Sequence, residues 1–110
     1  LKLITKSVEK SIPKLYSQEK VADPMVVAKF FNPCGAATWY IIEGEWQGEP
    51  TNGQPGEDFY MYGLCDLFND GGELGYVTLG QLESVKLMGG ALGIERDVYW
   101  TPKPLSQVRS

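Results

Sequence analysis

The chain of 110 residues contains no histidine. That removes the commonest general base and the commonest metal ligand, and it argues against hydrolase, nuclease and zinc chemistry together. Only two cysteines occur, Cys34 and Cys65. They are too few for a disulfide framework, so both are expected to be reduced and at least one buried. No apolar run approaches the roughly 20 residues of a membrane span, and the opening LKLITKSVEK has no signal-peptide core. The expectation is therefore a cytoplasmic chain with no membrane contact. Basic residues are missing from the whole interval between Lys29 and Lys86. A surface built to grip phosphates would carry a basic stripe through that region.

What fills the interval is negative charge. From Glu43 to Glu73 there are eight carboxylates and no lysine or arginine. Residues 1–36 hold six lysines against three acids, a balance of +3, and residues 37–110 hold eleven acids against four bases, a balance of −7. The N-terminal lysines occupy several faces of a helix, as an ordinary solvated surface does, and do not argue for nucleic-acid binding. The thirteen aromatic residues are spread along the chain and can support one core in one domain. That domain is expected over 1–104, with LSQVRS (105–110) as a C-terminal tail.

Ile4, Val8, Ile12 and Leu15 fall at helical spacing, with Thr5 or Ser7 as the cap and Pro13 as the stop. Four strands are then predicted. They are MVVAKFF (25–31), AATWYIIEGEW (36–46), DFYMYGLCDLF (58–68) and ELGYVTL (73–79). Glycine, proline and asparagine mark QGEPTNGQPGE as a loop, and NDGG (69–72) reads as a tight hairpin. Thr78 and Gln81 form a capping box for a second helix over LGQLESVKL. In a fifth strand, IERDVYW, the residues Ile94, Arg96, Val98 and Trp100 would share a face. The order predicts an α+β domain, an antiparallel sheet of about five strands with two short helices packed on one face.

Known chemistries fit this pattern poorly. A calcium loop starting at Asp66 would place Phe68 where an oxygen ligand belongs, so no metal site is expected. Glu43 and Glu45 lie two apart on a strand, a spacing of about 7 Å that could serve acid–base work on a sugar, yet any strand with alternate acids has it. They read as solvated positions. Neither cysteine has an activating neighbour, and GGALG lacks the context of a phosphate loop, so no cofactor is expected. The aromatics are more informative. Trp39, Tyr40, Trp46, Tyr60, Tyr62, Tyr76, Tyr99 and Trp100 are too many for two short helices to cover, which leaves some exposed beside the acids.

The segments TWYIIEGE, DFYMYGL, GELGYVTLGQLESV and LGIERDVYW resemble a small bacterial family known only as a domain of unknown function. Its members often occur on conjugative plasmids, integrated elements and phage-derived regions. The resemblance runs from LKLITK to about Trp100 and carries no catalytic residue with it; it implies an accessory protein of mobile DNA. The expected function is non-enzymatic binding of a protein partner with a basic surface, a host nucleic-acid-binding or defence protein. Its site residues would be Glu43, Glu45, Trp46, Glu57, Asp58, Asp70 and Glu73. The alternative is a small ligand-binding or hydrolytic domain with a carboxylate–arginine pocket, formed by Asp66, Glu95 or Asp97 near Arg96.

Overall fold

A computed structural model describes residues 2–48 and 58–109. Helix α1 (Lys6–Ser11) starts where Thr5 accepts a hydrogen bond from the Val8 N–H at 3.1 Å, and it ends before Pro13. The first expected strand is interrupted at Val27 and becomes β1 (Met25–Val26) and β2 (Ala28–Phe31). Strands β3 (Thr38–Gln47), β4 (Asp58–Asp66) and β5 (Glu73–Thr78) follow, then α2 (Leu79–Glu83). A 3-10 turn at Met88–Gly90 leads to β6 (Glu95–Arg96), and β7 (Lys103–Pro104) and α3 (Leu105–Arg109) complete the described elements.

One sheet is antiparallel with five strands in the order β5-β4-β3-β2-β6, and β1 pairs with β7 in a separate two-stranded ribbon. The domain is α+β, and mostly β. Both faces of the main sheet are covered. On the first, Ile12, which follows α1, and Leu79 and Leu82 of α2 pack with Phe30, Ile41, Phe59 and Met61. On the second, Leu105 of α3 packs with Val26, Ile42 and Leu64. The adjacent pair Ile41 and Ile42 thus serves two cores, one on each face.

Three expectations change. The segment 105–110 read as a tail, but 105–109 is a third helix and carries a buried leucine. The fifth strand is only two residues long. After Arg96 the chain turns, with the Trp100 N–H on the Asp97 carbonyl, and Trp100 joins the second core while Ile94 stays in the first. The hairpin between β4 and β5 uses six connecting residues rather than a two-residue turn, with positive φ at Asn69, Gly71 and Gly72. The capping box at Thr78 and Gln81 is present in full.

Candidate functional site

The site originates in a bulge in β3. Pairing with β4 runs Ile41↔Gly63 and then Glu43↔Tyr62, so one extra residue shifts the alternation of the strand. Gly44 and Trp46 follow Ile41 onto the first face, where Trp46 meets Phe59 edge to face at 5.3 Å. Glu43 and Glu45 fall on the second face, under the segment that leaves α1. That segment is fastened by their carboxylates. Leu15 N–H donates to Glu45 Oε1 at 2.9 Å, Tyr16 N–H to Glu43 Oε1 at 2.9 Å, and Gln18 N–H to Glu43 Oε2 at 2.7 Å. The Gly44 N–H reciprocates to the Pro13 carbonyl at 2.8 Å.

Glu43 is 4% exposed. The solvated position expected for it is therefore wrong. Loop backbone covers it, and two amide donors replace the water it gives up.

The fastened segment forms one wall of a groove of about 380 Å³ over the second face. Tyr62 of β4 and Tyr76 of β5 are cross-strand partners in its floor, with ring centroids 5.0 Å apart and planes tilted by 54°. Tyr16 belongs to the fastened segment itself and lines the groove from that wall, in a left-handed backbone conformation with φ of 67°. Glu43 and Ile42 line the groove from β3, and Leu105 and Arg109 line it from α3. Partial loss of water raises the Tyr76 phenol above its ordinary value, and a hydrogen bond with Tyr16 and the nearby charge of Glu43 add to the effect. Tyr76 is still 57% exposed.

Helix α3 is held in place by Asp23. The carboxylate accepts the Ser106 N–H at 2.9 Å and its hydroxyl at 2.6 Å, while Leu105 N–H donates to the Pro24 carbonyl. The two Ser106 bonds lower the Asp23 pKa.

The remaining acids named from the sequence do not join Glu43. Glu45 is the exception, its carboxylate bonded to the same segment. Trp46 lies on the opposite face and donates its indole N–H to Glu9 at 2.6 Å. Asp58 accepts the Gly80 N–H in the first turn of α2. Asp70 accepts the Gly72 N–H inside the hairpin, and Glu73 is exposed at the start of β5. Glu57 and the loop 49–57 lie outside the described residues. Of the acids that are described, Asp58 begins β4, whereas Asp70 and Glu73 lie at the hairpin beyond its other end.

Among the described residues, no ion pair joins Arg96 to Asp66, Glu95 or Asp97. Asp97 pairs with Lys29 at 3.9 Å and Asp66 accepts the Asp70 N–H, while the Arg96 Nε is buried without a hydrogen-bond partner among the described residues. The cysteines are free. Cys34 is exposed and Cys65 half-buried, so neither is fully enclosed as expected, and burial raises the Cys65 thiol pKa.

Sequence reasoning named Tyr62 and Tyr76 only among many aromatics, and it missed Tyr16 and Arg109. A two-residue turn at Asp70–Gly71 would set Tyr76 opposite Cys65; the longer connection sets it opposite Tyr62. The arrangement offers aromatic faces, phenol oxygens and negative charge in one concavity. It suits a cation better than a reacting carbonyl or phosphoryl group.

No helix among the described residues is long and apolar enough to cross a membrane. Comparison with curated proteins and with solved structures found no match. Residues 3–108, from the first buried leucine to the last turn of α3, match the family described as "Protein of unknown function (DUF2958)", and the chain belongs to that family.

Proposed function

We propose that the chain is a non-enzymatic binding domain whose tyrosine-lined groove receives a basic segment of a partner protein. The observation that carries this reading is the groove itself, where three tyrosines surround a buried glutamate and Glu19 adds a second carboxylate against the single cation Arg109. Aromatic anchors with a charged rim are a common source of binding energy at protein interfaces. The non-catalytic part is supported by the work the carboxylates already do, because both oxygens of Glu43 hold backbone amides. The cytoplasmic, mobile-element setting suggested by the sequence resemblance completes the proposal. The partner would be a host nucleic-acid-binding or defence protein with a basic surface of its own.

The test is a capture experiment from bacterial lysate at low and high salt with the wild-type chain and with Tyr76→Ala, an exposed position that should fold. A specific partner should be lost in the variant and at high salt. Capture that is the same for both proteins overturns the assignment to the groove. A second reading, a small-molecule pocket, is favoured by the joint presence of Glu43 and Arg109 and by a volume within the ligand range. It predicts a low-molecular-weight ligand released on denaturing freshly purified protein.

A further inference from the structure

The groove and the opposite end of the same sheet face use aromatic rings differently. There, Lys29 Nζ lies 5.8 Å from the Tyr40 ring and 5.7 Å from the Trp100 ring, and Lys103 Nζ lies 4.5 Å from Trp100. Those rings are supplied with cations by the chain itself. Among the described residues, no lysine or arginine is stacked on the Tyr62–Tyr76 pair, although it lies in a groove beside a buried carboxylate.

We infer that this pair is the seat for one lysine side chain of the partner, its ammonium against the Tyr62 and Tyr76 rings and its methylene stem against Ile42 and Leu74. The inference rests on the binding reading above and names the group that is bound.

The choice of lysine over arginine follows from Glu43. A guanidinium gains most from a carboxylate that offers two free oxygens to its planar fork. Each Glu43 oxygen already accepts one backbone amide, from Tyr16 and Gln18, and the residue is 4% exposed, so Glu43 does not present a free two-oxygen edge to that fork. What the groove offers instead is a fixed negative charge, ring faces and phenol oxygens. A compact ammonium with three N–H donors can use all of these. Ile42, Val21 and Leu74 provide the apolar wall that a four-carbon stem covers. Arg109 at the same groove disfavours a second cation within it, so the basic segment seats one of its lysines there.

The experiment titrates the intact protein with Nα-acetyl-lysine methylamide and follows the tyrosine ring signals by NMR. The matching norleucine and arginine amides serve as comparisons. The lysine probe should shift the Tyr62 and Tyr76 rings saturably at millimolar concentration, with norleucine silent and arginine weaker. Tyr76→Leu should weaken the lysine probe about 3- to 5-fold, the size of an exposed cation–π contact. Tyr99→Leu, a tyrosine that is 90% exposed and does not line the groove, should leave it unchanged. Equal shifts from lysine and norleucine, equal affinity for arginine, or no lysine binding would each overturn the inference. If the partner still needs Tyr76 while the lysine probe does not bind, the groove reading survives and the lysine assignment falls. If the probe binds but capture ignores Tyr76, the reverse holds.

Discussion

The backbone N–H of Gln18 donates to Oε2 of Glu43 at 2.7 Å across 25 residues of sequence. With the Tyr16 bond to Oε1, this contact turns a glutamate into the fixed point around which the wall of the groove is folded. The segment after α1 contains no regular strand or long helix of its own. Its course over the sheet is set by these long-range bonds.

Removing that fixed point should be costly. Glu43→Ala leaves two amides without their acceptor and is expected to lower stability by about 2–4 kcal/mol, whereas Glu45→Ala loses one bond and about 1 kcal/mol. Glu43→Gln, with one acceptor oxygen, should fall between wild type and Glu43→Ala. Urea denaturation of the four proteins measures the order.

Two glycines should separate sharply. A Cβ at Gly63 would stand 1.9 Å from the Tyr40 carbonyl oxygen, against a neighbouring strand that cannot retreat, so Gly63→Ala should cost about 3 kcal/mol or more, or prevent folding. A Cβ at Gly75 meets nothing within 4 Å, and Gly75→Ala should stay within about 0.5 kcal/mol of wild type. Thermal melts of both variants provide the comparison.

Acid should loosen α3 through Asp23. The Ser106 hydroxyl and amide lower its folded pKa below the ordinary 3.8. A depressed carboxylate contributes its full stabilisation above the unfolded value and loses it as pH falls through the lower, folded one. The Ser106 amide signal should therefore titrate with a midpoint below 3.8. In Asp23→Asn that titration should disappear.

The cysteines should differ in reactivity. Cys34 is exposed, while burial raises the pKa of the half-buried Cys65 and so lowers its thiolate fraction. Iodoacetamide at pH 8 should label Cys34 first, with Cys65 trailing until urea is added. Peptide mass spectrometry reads the two sites separately. Equal rates in the native protein would contradict this placement.

Much of the fold was legible because it depends on neighbours in sequence. Thr5 and the Thr78–Gln81 box signal helix starts within three residues, and the apolar runs at Phe30, Ile41 and Phe59 mark strands. The candidate site was hidden for two reasons. A bulge carries no sequence signature of its own, and it decides which way Glu43 points. A carboxylate satisfied by distant amides also has the same composition as one satisfied by water.

Composition and local spacing alone determined an α+β domain without histidine chemistry, its helix caps, most of its strands and a surplus of carboxylates in its middle third. The three-dimensional fold alone decided that Glu43 is buried, that Tyr62 faces Tyr76, and that α3 closes the second face. Strand register and hydrogen bonds between distant segments settle such questions. Both are chosen by the whole packed molecule, where an unpaired amide or a strand displaced by one residue costs more than any local preference can return.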